Sequence, residues 1–202
     1  MTSIQLSIVT TLYNSEKTIV DFYHRITQAA INITPDYELI LVNDGSTDRS
    51  LDIATSFLAG DQHCTLVDLS RNFGQHPAIM EGLSHATGER IFLLDSDLEE
   101  DQGQLLRFWA ELDRLGTSYD VVYGVQEKRK GRWFEVVSGE LAYIVLNLFS
   151  EKTLPHNPVL MRLMTRRFVD VVLLHKDKSI AYLAVHTLAG FKQASLAVIK
   201  KD

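Results

Sequence analysis

The chain has a single cysteine, Cys64, among 202 residues. No internal disulfide can form, and the composition fits a reducing compartment. It has four prolines and no proline- or glycine-rich tract, so no flexible linker, internal repeat or low-complexity segment interrupts it. No apolar run approaches the roughly 20 residues that a bilayer-spanning helix needs. The opening MTSIQLSIVTTLYN lacks a basic segment followed by a long apolar one, so no signal peptide is expected. Positive charge is also in deficit: 20 lysines and arginines face 26 aspartates and glutamates, a formal net charge of −6. That argues against nucleic acid as a partner, because counterion release needs a broad basic face. What remains is ordinary for a globular domain: 46% hydrophobic and 23% charged residues, enough for one sizeable core. The chain is expected to be cytoplasmic, and soluble or at most membrane-associated.

The first half alternates two periodicities. QLSIVTTLY (5–13), YELILVND, CTLVDLS, RIFLLD and YDVVYGV are short apolar stretches rich in β-branched residues, and each reads as a strand. Helical spacing appears between them. Ile19, Phe22, Ile26 and Ala29 recur at three- and four-residue intervals behind Ser15, a candidate N-cap. GSTDRSLDIATSFLA, GQHPAIMEGLSHA and DQGQLLRFWAELDRLG supply three more helices. This alternation predicts an α/β fold with a mainly parallel sheet and helices on both faces. Beyond it, FEVVSGELAYIVLNLFS reads as an apolar helix, and LPHNPVLMRLMTRRFVDVVLLH as two prolines leading into a helix. SIAYLAVHTLAGF is ambiguous between helix and buried strand, and KQASLAVIKKD reads as a terminal strand.

Ligands of parallel α/β sheets bind beyond the carboxyl ends of the strands. Here those ends are Tyr13-Asn14, Asn43-Asp44, Ser70-Arg71, Asp95-Ser96-Asp97 and Gly124. In IFLLDSDLEED, five carboxylates crowd behind an apolar strand. Like charges at that spacing repel, and a divalent cation with a phosphate would relieve them. Mg²⁺ or Mn²⁺ prefers oxygen donors and keeps positions open for phosphate oxygens. By itself an Asp-x-Asp is more often a solvated turn or helix start, and the neighbouring strand ends raise its standing. VNDGSTD offers Asp44, Ser46 and Asp48 around a turn at Gly45, and Tyr13 offers a face for a planar base. Arg71 and Gly74 precede a helix N-terminus suited to phosphate. Each also has an ordinary structural reading, as a capped loop, a core aromatic or a surface ion pair.

Taken together, SIVTTLYNSEKTI, ELILVNDGSTDRSLDI, LSRNFGQHPAIMEGLSHATGERIFLLDSDLEED, YDVVYGVQEKRKG, RLMTRRFVD and AGFKQ resemble the family-two glycosyltransferases. The likeness covers nearly the whole chain and is strongest to the polyprenyl-phosphate sugar transferases. It implies a single GT-A catalytic domain over 1–202, with a nucleotide-sugar half (1–125) and an acceptor half (126–202). By the same resemblance, Thr11, Tyr13, Glu16, Asn43, Asp44, Arg71, Asp95 and Ser96 bind the donor, and Asn72 lies near the nucleotide. Asp95, Asp97 and Glu99 hold the metal, while Arg162 matches an arginine of the catalytic motif. Arg129 and Ser138 fall on the acceptor side. Thr11 stands for the usual proline, Ser15 for a Glu and Glu99 for a Gln.

One departure bears on mechanism. Relatives place an Asp, a candidate base, where this chain has Leu160 in NPVLMRLM. An acceptor phosphate, already anionic, needs no base. A sugar hydroxyl needs one, and His156, Glu140, His186 and Glu100 are the candidates, His156 first for its place beside the motif. Relatives also often continue into a loop over the nucleotide and then membrane helices, whereas this sequence stops at VIKKD. It is therefore expected to work without them or to be a truncated form. Lys128, Arg129, Lys130 and Arg132, with Trp133 and Phe134, form a solvated loop or meet lipid phosphate at the inner membrane face. The helix from Val136 to Phe149 is read as core, with membrane or a second copy in a homodimer as the other occupants. His76, His85 and His175 lack metal-ligand spacing and read as structural.

The function expected is an inverting, metal-dependent sugar transfer from a nucleotide-diphosphate sugar to a lipid-linked phosphate or glycan. Two rivals remain. A nucleotidyltransferase would need a Gly-rich basic loop after the first strand, which TTLYNSEKT lacks. A non-catalytic binding protein with a degenerate site would explain Leu160.

Overall fold

A computed structural model describes residues 3–126, 158–174 and 190–198. Seven strands form one sheet in the order β3-β2-β1-β4-β6-β5-β7. They are β1 (Leu6–Leu12), β2 (Tyr37–Asn43), β3 (Cys64–Asp68), β4 (Arg90–Leu93), β5 (Val121–Gln126), β6 (Pro158–Thr165) and β7 (Gln193–Val198). The helices are α1 (Ile19–Ile31), α2 (Ser50–Leu58), α3 (Gln75–His85), α4 (Gln104–Leu115) and α5 (Arg166–Leu173). Six strands run parallel. β6 runs against both neighbours, with Leu93 opposite Arg162 and Val125 opposite Pro158.

The pleat explains the two-sided core. Successive strand residues face opposite sides. Leu6, Ile8 and Leu12 of β1 join Phe22 and Ile26 of α1 and Leu105, Phe108 and Leu112 of α4 in one buried cluster. Val9 joins Ile79 and Leu83 of α3 and Phe168, Val169 and Val172 of α5 in the other. A strand buried on both faces does not need the strict polar–apolar alternation of a half-exposed one, and LSIVTTL shows none: even its Ser7 and Thr10 are buried. At α1 the buried set Ile19, Phe22, Ile26, Ala29 and Ala30 follows the helical period that the sequence shows.

Four expectations are corrected. Residues 158–165, expected to lead into a helix, form β6. PVLMRLMT is a short apolar run, and burial between β4 and β5 satisfies it as a strand where periodicity alone is ambiguous. The third and fourth strands stop two residues early, at Asp68 and Leu93, so Asp95 lies in the loop beyond β4. The fourth helix begins at Gln104, three residues later than read. Ser15 does not cap α1. Thr18 occupies the cap position, and Ser15 contributes its carbonyl to the Thr18 and Ile19 N–H groups, leaving its hydroxyl for the rim.

A polar corner packs at the far end of β2 and β3. The Tyr23 hydroxyl donates to Asp61 at 2.8 Å, the His63 ring lies 2.8 Å from the same carboxylate, and Tyr37 stacks on His63. Burial, with Asp61 nearby, pushes the Cys64 thiol and the Tyr37 hydroxyl up to about 12, from 9.0 and 10.0. Both groups are neutral in the fold at pH values where the unfolded chain has begun to ionise. The stability these two groups contribute is therefore fully present below about pH 9 and is lost as pH rises toward 12. We expect thermal melts at pH 8 to 11 to show a falling Tm, with Cys64 contributing about 1 kcal/mol per pH unit above 9. Cys64→Ala should remove the part that starts near pH 9 and leave the tyrosine part.

Candidate donor site at the strand ends

The carboxyl ends of β1, β2 and β4 open on a cavity of about 250 Å³ lined by Thr11, Tyr13, Ser15, Asp44, Asn72, Gly74, Gln75, Asp95, Ser96 and Asp97. The loops after β1, β2, β3 and β4 build it, and each is fixed by bonds to another.

The loop after β1 is zipped to the loop after β2. The Asn14 N–H donates to the Ser46 hydroxyl at 3.1 Å, and the Asn14 side-chain oxygen accepts the Thr47 N–H at 2.9 Å. Ser15 N–H donates to the Ser50 hydroxyl at 2.7 Å. Asp48 accepts the N–H groups of Glu16 and Ser50. Burial works against the Asp48 charge, yet hydrogen bonds from Ser50 and Glu16 hold its carboxyl below the usual range. The Ser96 hydroxyl donates to the Thr11 carbonyl at 3.0 Å and lies 3.4 Å from the Ser15 hydroxyl. The middle residue of Asp95-Ser96-Asp97 thus fastens the loop after β4 to β1.

Asp44 fixes the loop after β3. It is buried, and its two oxygens accept the N–H groups of Phe73 at 2.7 Å and Gly74 at 3.0 Å. Those groups lie immediately before α3, where a negative charge also complements the helix dipole. Gly45 allows the same approach: a Cβ there would overlap the backbone of Arg71 and Asn72, and its φ of +65° suits glycine. Asn43 does comparable work below, donating to Asp68 at 2.7 Å and accepting the Ser46 N–H.

The two aspartates beyond β4 line one cavity, and among the described residues no lysine or arginine lines it. Asp97 is exposed, and its Oδ1 accepts the Glu99 N–H at 2.9 Å. Asp95 Oδ1 accepts from the Gln75 side-chain amide at 2.8 Å. Among the described residues no three carboxylate, imidazole or thiol groups converge on a metal position. Two rim carboxylates with open surroundings nonetheless fit Mg²⁺ or Mn²⁺, which such sites hold through one or two carboxylates together with substrate phosphates and water.

Thr11, Tyr13, Asp44, Asp95, Ser96 and Asp97, all singled out in the sequence, therefore meet around one space. Others lie apart from it. Glu16 accepts the Arg49 N–H, and the Arg71 guanidinium stacks 4.1 Å over the exposed Phe73 ring. Asn43 and Glu99 are not in the lining. Arg162 is buried in β6 and donates to the carbonyls of Leu160 and Val159 at 2.9 and 3.0 Å. Leu160 packs against the second core cluster, and Glu100 is buried. His156, Arg129, Ser138, Glu140, His186 and the basic stretch from Lys128 lie outside the described residues. Sequence reasoning missed Ser15 and Gln75 as lining residues. The signal for Gln75 was its place directly after Gly74, the first residue of a helix opening at the rim.

A larger cleft, of about 590 Å³, opens at the opposite rim. Its charges are matched among themselves, Arg90 with Asp113 and Arg167 with Asp120, while Arg166 donates to the Gly88 carbonyl. That pattern is structural.

Comparison with known proteins gives the family. The family model described as Glycosyl transferase family 2 matches residues 7–173. The chain is 41% identical over 196 residues to a Mycobacterium tuberculosis protein whose name assigns it provisionally to the glycosyltransferases, covering 97% of this chain and 57% of that one. It is 32% identical over 200 residues to the uncharacterized glycosyltransferase YkcC of Bacillus subtilis, covering 98% of this chain and 61% of that one. The chain thus spans about three fifths of the length of these relatives. In fold it is similar to the mannosyltransferase PcManGT of Pyrobaculum calidifontis, solved with GDP-Man and Mn²⁺. The TM-score is 0.68 at 17% identity, covering 96% of this chain and 56% of that one.

Proposed function

This chain belongs to glycosyl transferase family 2 and has its GT-A fold, and on that premise we propose that it transfers a hexose, with inversion, from a nucleoside-diphosphate sugar to a lipid-linked phosphate or glycan. The observation that carries the reading is the convergence of Thr11, Tyr13, Asn72, Asp95, Ser96 and Asp97, from separate strand ends, on one cavity at the carboxyl rim. Tyr13, half exposed at its edge, offers a face to the base, and Thr11 and Asn72 offer hydrogen bonds. Asp95 and Asp97 would hold a divalent cation, which when bound neutralises the diphosphate as it leaves. Asp44 serves by holding the 71–74 loop. Arg162 fixes the start of β6 beside β4 and β5.

In the reaction an acceptor oxygen forms a bond to the anomeric carbon as the bond from that carbon to the diphosphate breaks on the opposite face. A phosphate acceptor brings no proton that must be removed. Leu160, partly buried against the core and unable to accept a proton where relatives carry an acid, therefore favours the lipid phosphate over a sugar hydroxyl. Among the described residues no helix is long and apolar enough to cross a membrane. Contact with a lipid acceptor at the inner membrane face would fall to the acceptor half, where Lys128, Arg129, Lys130, Arg132, Trp133 and Phe134 supply cations and aromatics.

A thermal-shift screen of UDP, GDP and dTDP, with and without Mn²⁺, tests the donor site. One nucleotide is expected to raise Tm only when the metal is present, by the equivalent of about 2.7 kcal/mol at a hundredfold excess over Kd. No shift with any of the three would sink the reading. A shift without sugar transfer from the matching donor would favour a binding protein.

A further inference from the structure

Gln75 lies at the start of α3, is exposed, and lines the cavity. Its side-chain nitrogen donates to Asp95 Oδ1 at 2.8 Å. Nothing local to β4 puts it there. It arrives on the 71–74 loop, which the buried Asp44 grips through two N–H groups and which rests backbone to backbone on Gly45. The end of β2 thus determines where the amide stands relative to the end of β4. Asp97 is held differently, by the N–H of Glu99 within its own loop.

We infer that Gln75 is a positioning residue for Asp95, orienting that carboxylate toward the divalent cation of a bound nucleoside diphosphate. The inference rests on the donor-site reading above. Its chemical logic lies in the amide. A lysine or arginine at position 75 would also donate to Asp95, but its full positive charge would cancel the carboxylate and repel a cation. A carboxylate there would accept rather than donate. A neutral donor long enough to cross from α3 orients one oxygen and leaves the charge of the group intact. Groups that orient a metal-binding carboxylate in this way are worth roughly ten- to a hundredfold in metal affinity.

The test uses the chain as it stands, with the nucleotide that stabilises the wild type in the screen. Free Mn²⁺ is measured by its electron paramagnetic resonance signal as metal is titrated into protein and nucleotide. Nucleotide binding without metal is measured in parallel. Because Gln75 is exposed, Gln75→Ala and Gln75→Lys are expected to melt close to the wild type. Gln75→Ala should weaken Mn²⁺ binding about tenfold or more, and Gln75→Lys should weaken it further. Metal-free nucleotide affinity should hold in Gln75→Ala, and saturating Mn²⁺ should restore most of its kcat. Wild-type Mn²⁺ affinity in Gln75→Ala would overturn the inference alone. Equal loss of metal-free nucleotide binding would also overturn it, because that marks a general disturbance of the cavity. If the wild type itself bound no Mn²⁺ with any of the three nucleotides, the donor-site reading would fail and the inference with it.

Discussion

Replacing Asp97 with alanine is expected to reduce sugar transfer by roughly 10²- to 10³-fold or more, the scale on which removing one preorganised electrostatic group acts. The fold should not change. Asp97 is exposed beyond the end of β4 and makes its hydrogen bond within its own loop, to the Glu99 N–H, so the melting curve should shift by no more than about 0.5 kcal/mol. Asp97→Asn separates charge from shape. The asparagine oxygen can still accept the Glu99 N–H, so the loop keeps its turn while losing the negative charge. If charge is what the site uses, the asparagine variant falls nearly as far as the alanine one. Steady-state transfer with the donor identified in the screen, at several Mn²⁺ concentrations, reads the difference. Substantial activity in Asp97→Asn would remove Asp97 from the metal-holding pair.

The second large effect is on stability. Gly45→Ala should cost several kcal/mol, on the order of 3 to 5, from two sources that add. The φ of +65° is costly for a residue with a side chain. The new methyl would also overlap the Arg71 carbonyl carbon and the Asn72 nitrogen. Those are backbone atoms, so no rotamer change relieves the clash, and the 71–74 loop must move or the turn must open. That loop carries Asn72, Gly74 and Gln75 into the cavity, so donor binding should fall together with stability. Gly60→Ala is the control, since a Cβ there meets nothing within 4 Å. Urea melts of both variants, with the nucleotide thermal shift on each, check the coupling. A Gly45→Ala protein of wild-type stability would show that the two loops do not pack as described.

Much of the donor half was legible in the sequence because its signals are local. Strand and helix periods differ, and they alternate cleanly from Leu6 to Val125. Strand ends can then be counted, and the polar residues at them, Thr11, Tyr13, Asp95, Ser96 and Asp97, fall at the rim without knowledge of any contact. What could not be read depends on pairs far apart in the chain. Asp44 reads as a ligand-facing acid and does line the cavity, but nothing in the sequence shows that its two oxygens also hold the N–H groups of Phe73 and Gly74. Ser15 looks like a helix cap until its hydroxyl is seen beside Ser96. Gln75 carries no mark in the sequence beyond following a glycine, because its meaning lies in the separation between α3 and the end of β4. β6 was misread for a related reason. Its residues satisfy either period, and only the slot between β4 and β5 decides.

On the proposed reading, in which residues 127–157 belong to the acceptor half, the reversed direction of β6 has a bearing on how acceptor preference can change. β5 finishes at Gln126 on the rim where the donor cavity opens, and β6 sets out from that same edge, with Pro158 across from Val125. Whatever residues occupy 127–157, both of their tethers are neighbouring hydrogen-bonded strands. Loop closure between fixed neighbours grows only slowly more costly with length. A new acceptor-facing segment could be grafted between these two tethers, longer or shorter, with the sheet register and the aspartate pair untouched.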